Sequence, residues 1–291
     1  MARAVMSDRF VAGARIGDYQ VEDEIAIDAT SVIYLGTHVV LPRQAYIKVP
    51  HPGSRPAAVQ LLREACIHEA LSHAGHAGIP RVYECGVLVD RRPWCALEVM
   101  LGVTLKQLVG AGPLALPDLV VLLRDVADIL RHAHERGVVH RRLTLGAIVK
   151  LQRRYARYGI TDWSDARTLD AEADVVVHPK DDIHTLGTIA FRVLTGTLPD
   201  PIDGSVGTYC PSAPAELIAL IDQMLAEPRK RPAADEVFDR AVWLGSTLEA
   251  APVVERPRWA PPHRAGAEGG AVSTGADPGG FAIRISRMKS R

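Results

Sequence analysis

Between residues 18 and 101, apolar residues occur in short runs that are separated by polar and turn-forming residues. Four of these runs are rich in β-branched and aromatic side chains and predict two pairs of strands. Between the pairs, apolar side chains recur at helical spacing over residues 56–72, with Ser54 as the N-cap and Pro56 in the first turn. The pattern predicts a small β-rich unit that contains one helix. Its predicted strands are residues 31–36, 44–49, 83–89 and 94–100.

From residue 104 onward the apolar spacing becomes helical. A strong stripe starts after Asp118 and ends before Arg136 and Gly137, an order that the helix dipole and C-terminal capping favour. The stripe consists of Leu119, Val120, Leu122, Leu123, Val126, Leu130 and Ala133. Further helices are predicted over residues 183–194, 215–225 and 233–248. The chain is therefore expected to be an α+β protein with a small β-rich half and a larger helical half.

The composition changes sharply after residue 250. Residues 251–280 contain five proline and six glycine residues, and a short basic segment ends the chain. Such a composition is typical of a disordered tail. We expect four parts: an N-terminal extension (1–17), the β-rich half (18–101), the helical half (102–250) and the tail (251–291).

The charge balance excludes some classes of protein. The 291 residues include 34 Lys and Arg against 34 Asp and Glu, so binding to nucleic acid through bulk positive charge is not expected. No apolar run approaches the ~20 residues that span a bilayer, and residues 1–17 lack the apolar stretch of a signal peptide. Cys66, Cys85, Cys95 and Cys210 are scattered, which favours reduced thiols and a cytoplasmic location.

The order and spacing of several short motifs resemble the protein kinase family, in particular bacterial serine/threonine kinases of the eukaryotic-like type. The resemblance covers roughly residues 18–250 and implies a bilobal kinase-like fold. Ala45-Tyr46-Ile47-Lys48 resembles the strand that carries the phosphate-binding lysine, and Arg63-Glu64-Ala65 the helix whose glutamate pairs with it. Other matching segments are Leu97-Glu98-Val99-Met100 at the hinge, His140-Arg141 at the catalytic loop, Asp162-Trp163-Ser164 at the metal-binding Asp-Phe-Gly position, Asp182 on the helix that anchors the large lobe, and Arg231 before the last helix.

The catalytic loop departs from the family pattern at three positions. The family places its catalytic aspartate directly after His140-Arg141, where this chain has Arg142. A guanidinium has only hydrogen-bond donors and cannot accept the proton of a substrate hydroxyl. The family's loop lysine corresponds to Thr144 and its metal-binding asparagine to Ala147. The resemblance therefore implies that no catalytic residue of this loop is intact.

The nucleotide site is also altered. Ala26, Asp28 and Ser31 fall on the positions of the three phosphate-loop glycines, and Asp28 adds a negative charge where phosphates would lie. Tyr46 shares a strand face with Lys48, where the family keeps a small residue against the adenine ring. We expect the phenol to occlude the pocket, although an outward-turned ring is the alternative.

Some nucleotide-site residues remain. Lys48, Glu64 and Asp162 stand as remnants of the nucleotide and metal site, with Glu98 and Met100 at the hinge. We therefore expect no bound metal and no cofactor, and at most weak binding of ATP and Mg²⁺.

The segment after Asp162 is short, since 19 residues separate it from Asp182. A surviving bridge between Glu172 and Arg231 is expected there. We also hypothesise that Arg142 replaces the metal ion by pairing with Asp162 or Asp165 in a partly buried contact, with an exposed arginine as the alternative. The spacing of His68, His73 and His76 is not expected to form a metal site, because it lacks companion ligands.

Positions that stabilise the fold are kept, whereas positions that carry chemistry are replaced. This asymmetry predicts a pseudokinase that binds a protein partner in signalling, such as an active kinase or its substrate. The alternative is an active serine/threonine kinase in which Asp162 or Asp165 replaces the lost base. A small-molecule phosphotransferase of the same fold would still need the loop aspartate.

Overall fold

The computed structural model describes residues 9–72, 75–110, 112–152, 157–169, 178–200 and 204–250. The predicted tail at residues 251–291 lies outside the described residues. The N-terminal half contains β1 (Arg15–Ile16), β2 (Tyr19–Ile27), β3 (Ser31–His38), β4 (Gln44–Pro50), α1 (Arg55–Ser72), β5 (Val82–Val87) and β6 (Pro93–Glu98). The C-terminal half contains β7 (Gly102–Thr104), α2 (Leu105–Val109), α3 (Leu116–His134), β8 (Val138–Val139), β9 (Ile148–Leu151), β10 (Tyr158–Ile160), β11 (Arg167–Thr168), α4 (Pro179–Thr195), α5 (Val206–Tyr209), α6 (Ala215–Leu225) and α7 (Ala234–Ala250).

The N-terminal half is built on one antiparallel sheet with the strand order β1-β2-β3-β4-β6-β5. Strand β4 shows how the sequence fixes its two faces. Ala45, Ile47 and Val49 are buried in an apolar cluster on one face, whereas Tyr46 and Lys48 point to the other. Because side chains alternate along a strand, this register places Lys48 on the face that looks towards the helical half.

Helix α1 lies against the second face of the sheet. It begins one residue before the predicted start, and the Ser54 hydroxyl accepts a hydrogen bond from the Ala57 N–H at 3.4 Å, as expected of an N-cap. Leu61 and Ala65 pack with Cys95 of β6. This packing fixes the position of Glu64, which lies on the same buried side of the helix.

The C-terminal half is helical and holds the larger core, in which α3 packs against α4 and α7. Helix α6 has the predicted bounds. Helix α4 starts four residues before its predicted start, because His178 caps it and its first turn is Pro179, Lys180, Asp181 and Asp182 rather than apolar residues. The mixed α+β class predicted from the sequence is confirmed.

Several short strands were not predicted from the sequence pattern. Strands β7, β9 and β10 form a three-stranded sheet, and β8 pairs with β11. These strands contain two to four residues, too few for alternation to be visible. Among the described helices, none combines the length and the apolar character that a bilayer crossing requires.

Candidate functional site

The loop after β8 is held by a carboxylate of α4. Asp182 is buried and accepts hydrogen bonds from the backbone N–H groups of His140 at 2.8 Å and Arg141 at 2.7 Å. The Nε2 atom of His134 lies 2.9 Å from the same carboxylate. Arg141 has a φ of 68°, which is uncommon for a residue other than glycine. Asp182 therefore fixes the backbone from which the next side chain, Arg142, projects.

Arg142 pairs with Asp165, not with Asp162. Its Nη1 atom lies 3.1 Å from Oδ2 of Asp165, and 54% of the Arg142 side chain is exposed. The predicted pairing with one of these two aspartates is thus found, but the expected partial burial of the arginine is wrong. A pair this exposed typically contributes only about 0–1 kcal/mol to stability, so this pair by itself is not a strong lock of the cleft.

The other two altered loop positions bond to their own backbone. The Thr144 hydroxyl accepts a hydrogen bond from the Ala147 N–H at 3.1 Å. The Thr161 N–H and hydroxyl both donate to the Ala147 carbonyl, at 2.9 and 3.1 Å. Ala147 is buried and presents only a methyl group. The hydrogen-bonding groups of this turn are therefore paired with neighbouring protein groups. The Ala147 side chain offers no metal ligand.

Lys48 and Glu64 form a buried ion pair, as the resemblance implied. The Lys48 Nζ lies 2.7 Å from Glu64 Oε2, and the side chains are 5% and 3% exposed. Burial by itself lowers the pKa of Lys48, but the carboxylates of Glu64 and Asp162 raise it above its usual value. Burial raises the pKa of Glu64, and Lys48 offsets only part of that effect. The pair joins α1 to the sheet in a closed arrangement.

The turn at the predicted phosphate loop is bonded to itself. The Asp28 carboxylate accepts hydrogen bonds from the N–H groups of Thr30 and Ser31, both at 2.6 Å, and from their hydroxyls. Burial alone would raise the pKa of Asp28, but these bonds and the Lys48 charge lower it. Asp28 is therefore held as an anion at a position where the family has a glycine.

A cavity between the two halves marks the site that corresponds to the nucleotide pocket, and we call it the cleft cavity. Its volume is about 70 Å³, which holds a few water molecules, whereas pockets for drug-sized ligands measure ~300–1,000 Å³. Tyr46 lies in its wall, on the same side as Lys48, and burial raises the pKa of its phenol. The lining includes the predicted residues Lys48, Glu64, Glu98, Met100 and Asp162 as well as Tyr46.

Several residues that line the same cavity were not predicted from the sequence. Ile33 and Leu97 lie beside Tyr46, since Leu97 pairs with Tyr46 across β4 and β6 and Ile33 pairs with Lys48. Thr161 precedes Asp162 directly, which was the available signal for it. Gln60 of α1 donates a hydrogen bond to the Ser164 carbonyl at 3.2 Å and so ties the helix to the segment after Asp162.

Three rings connect the two halves behind the ion pair. Trp163 lies between His140, at a ring-centroid distance of 4.7 Å, and His68, at 6.4 Å. The Nδ1 atom of His68 is 3.1 Å from the Pro80 carbonyl, and its Nε2 atom has no hydrogen-bond partner. Burial lowers the pKa of His68 from 6.5 to about 4. His68 is therefore a buried histidine with a hydrogen-bond partner at only one of its two ring nitrogens.

The remaining predicted contacts have mixed outcomes. Glu172 lies outside the described residues, and Arg231 pairs with Asp181, with 3.2 Å between Nη1 and Oδ1.

His73 also lies outside the described residues. Among the residues that the structure does describe, no cluster of three or more His, Cys, Asp or Glu side chains could hold a metal ion. Mg²⁺ takes oxygen ligands. The Asp162 carboxylate is such a ligand, whereas the Ala147 side chain supplies no donor at the position where the family has its metal-binding asparagine.

Comparison with known proteins gives bacterial kinases as relatives. The chain is 27% identical to the serine/threonine-protein kinase Pkn1 of Myxococcus xanthus over 212 residues, which cover 65% of this chain and 30% of Pkn1. It is 28% identical to the serine/threonine-protein kinase PknL of Mycobacterium tuberculosis over 268 residues, or 80% of this chain and 65% of PknL. The chain thus spans less than two thirds of either relative. No protein-family model matches it.

Solved structures show the same fold. The kinase domain of Mycobacterium tuberculosis PknI superimposes with a TM-score of 0.64 and 22% sequence identity, covering 81% of this chain and 99% of that domain. A second crystal structure of the PknI kinase domain gives a TM-score of 0.65 at 21% identity. The α+β arrangement described above is therefore the bilobal protein kinase fold.

Proposed function

We propose that this chain, which belongs to the protein kinase superfamily, is a pseudokinase: a kinase-fold module that binds a protein partner in signalling and transfers no phosphate. The fold and the bacterial serine/threonine kinase relatives support the general assignment. The loss of activity is inferred from the chemistry of the catalytic loop.

One observation carries the proposal. Asp182 holds the backbone of His140 and Arg141 in place, and the residue that follows is Arg142, whose guanidinium pairs with Asp165. Phosphoryl transfer needs a group that orients the attacking hydroxyl and ligands that hold divalent metal. A guanidinium offers no acceptor, and the methyl of Ala147 offers no ligand. The scaffold of the loop is thus kept while its chemical groups are absent.

The cleft supports an extension of the same proposal to nucleotide binding. The cavity of about 70 Å³ is lined by Tyr46 and by the ion pair of Lys48 and Glu64. Asp28 adds a fixed negative charge near Lys48. A triphosphate would meet both steric exclusion from the phenol and electrostatic repulsion from the carboxylate.

Without catalysis, the function of the module would depend on the binding of a partner to its surface. A module without catalysis acts by binding, and we infer that its partner is a protein, such as an active kinase or a substrate of one. We place it in the cytoplasm, where such kinase domains and their substrates meet. Nucleic acid is not the expected partner, because the chain has equal numbers of acidic and basic residues.

A second candidate is an active serine/threonine kinase with unusual residues. The observation in its favour is the closed pair of Lys48 and Glu64 with Asp162 close enough to affect both pKa values. In this reading Asp162 or Asp165 would take the role of the missing base. Asp165 already pairs with Arg142, which makes this reading the weaker one.

A binding measurement separates the two candidates. The unfolding temperature of the full chain is recorded with Mg²⁺ alone, with ATP alone and with Mg²⁺ and ATP together. A ligand present at ~100 times its Kd stabilises a folded protein by about 2.7 kcal/mol. The pseudokinase proposal predicts the same unfolding temperature in all three conditions. A rise that requires both ATP and Mg²⁺ would favour the active kinase.

A further inference from the structure

Two cysteines lie directly opposite each other on neighbouring strands of the N-terminal sheet. Cys85 of β5 pairs in register with Cys95 of β6, in antiparallel orientation. Directly opposed residues of antiparallel strands have Cα atoms ~4.5–5.5 Å apart and side chains on the same face. A disulfide requires a Cα separation of ~4.4–6.8 Å. The backbone therefore already has the spacing of a cross-strand disulfide, and both thiols are free.

The two thiols differ in exposure and in acidity. Cys85 is exposed on the edge strand, whereas Cys95 is buried against Leu61 and Ala65 of α1. A hydrogen bond between the thiols lowers the pKa of Cys85 and raises that of Cys95. The thiolate is the reactive form of cysteine. The pair thus combines an accessible thiol that ionises more easily with a shielded thiol in contact with it.

Strand β4, which lies beside β6, connects the cysteine pair to the cleft cavity through Lys48. Lys48 of β4 pairs in register with Cys95, so Lys48, Cys95 and Cys85 form a row across three strands on the face that α1 covers. Cys95 also packs under the helix that carries Glu64. A covalent bond at Cys95 would therefore form at the centre of the contact between the sheet and α1.

We propose that Cys85 and Cys95 form a redox-modification site that a peroxide oxidises to a reversible cross-strand disulfide. The Cys85 thiolate attacks one oxygen of hydrogen peroxide, the O–O bond breaks, and hydroxide leaves as Cys85 becomes a sulfenic acid. The sulfur of Cys95 then attacks the Cys85 sulfur, the S–O bond breaks, and the S–S bond forms. The Cys95 proton and the departing hydroxide give water. Overall, two thiols supply two electrons and two protons, and one peroxide becomes two waters.

This proposal does not depend on the pseudokinase assignment, because it uses only the sheet and α1. Transient disulfides of this kind in reducing compartments are usually redox-sensing or catalytic. Cys66 offers an internal comparison, since it is also exposed but lies on α1 rather than opposite another cysteine.

Peptide mapping tests the proposal on the full chain. The reduced protein is treated with hydrogen peroxide, its remaining thiols are alkylated in denaturant, and it is digested with trypsin without reduction. Cleavage after Arg81, Arg91 and Lys106 places Cys85 in residues 82–91 and Cys95 in residues 92–106. We expect these two peptides to appear cross-linked, with a mass lower by two hydrogens than the sum of the separate peptides, and to separate again with dithiothreitol.

Three variants sharpen the result. Cys66→Ser should leave the cross-link unchanged. Cys85→Ser, at an exposed position, should abolish it and leave Cys95 alkylated. Cys95→Ser should stop oxidation of Cys85 at the sulfenic acid, which dimedone traps. The proposal is overturned if peroxide drives Cys85 to sulfinic acid while Cys95 stays free, if Cys85 cross-links to Cys66 instead, or if both thiols stay reduced.

Discussion

Lys48 and Glu64 are joined by an ion pair with 2.7 Å between Nζ and Oε2, and at most 5% of either side chain is exposed. The pair connects the central strand of the sheet to α1. In an active kinase such a pair positions phosphates, whereas here it lies beside a cavity of about 70 Å³. The pseudokinase proposal implies that the pair serves the structure of the N-terminal half.

Removing one partner of this ion pair should destabilise the fold. Lys48→Met should lower the free energy of unfolding by about 3–5 kcal/mol, because it leaves the Glu64 carboxylate buried without its partner. The double variant Lys48→Met with Glu64→Leu should recover much of that loss, since it removes both charges. Urea unfolding of the full chain measures the stability of both variants.

The matched control is Lys106→Met at an exposed position of α2, which should change stability by no more than about 0.5 kcal/mol. Equal effects of Lys48→Met and Lys106→Met would contradict the prediction.

Stability should also depend on pH through His68. The folded pKa of about 4 lies below the ordinary value of 6.5, so the unfolded chain binds the proton more tightly. The contribution of neutral His68 is complete above pH 6.5 and is lost as the pH falls towards 4, by about 3 kcal/mol in total. His140, also buried with a lowered pKa, acts in the same direction. The unfolding free energy of the wild type should therefore fall by about 3 kcal/mol relative to that of His68→Leu as the pH is lowered across this range. Parallel curves would show that His68 does not titrate in this way.

The proposed occlusion by Tyr46 predicts how a substitution there changes the affinity for ATP. Tyr46→Ala removes the phenol from the wall of the cleft cavity and should increase the affinity for ATP, by about tenfold or more, which corresponds to ~1.4 kcal/mol. Calorimetric titration with ATP measures the change. Tyr46→Phe is the matched control, because it keeps the ring and should bind no better than the wild type. If Tyr46→Ala and Tyr46→Phe bind ATP equally, the ring does not occlude the site.

Restoring the loop aspartate alone should not restore catalysis. Arg142→Asp supplies an acceptor for the substrate hydroxyl, but Thr144 and Ala147 still lack the family's lysine and metal-binding asparagine. We expect no phosphate transfer to a generic protein substrate. The variant should stay folded, since the pair of Arg142 with Asp165 is half-exposed. Turnover by Arg142→Asp would mean that this substitution is the sole defect.

The sequence predicted the parts of the fold that have long periodic patterns. Helix α6 was predicted with its correct bounds, and the α1 start was one residue off, because apolar spacing and the Ser54 cap mark them clearly. Strands β8 and β11 have two residues each and exist only through pairing with each other, which no local pattern reveals.

In the candidate site too, contacts implied by motif spacing could be predicted, whereas contacts that depend on loop conformation could not. The partnership of Lys48 with Glu64 followed from motif spacing and is present in the structure. The choice of Asp165 over Asp162 by Arg142, and the exposure of that pair, depend on the path of the loops in three dimensions. The bonding of Asp28 to Thr30 and Ser31 likewise depends on a turn that the sequence alone did not indicate.

Phosphate transfer by the full chain distinguishes a pseudokinase from an active kinase. The protein is incubated with ATP labelled at the γ-phosphate, with Mg²⁺ or Mn²⁺, alone and with a generic basic protein substrate. Asp162→Asn, which removes the carboxylate at the position that binds metal in the kinase family, is treated in parallel. If the chain is a pseudokinase, the wild type incorporates no more label than Asp162→Asn. Incorporation by the wild type that is lost in Asp162→Asn would contradict the pseudokinase proposal and identify the chain as an active kinase.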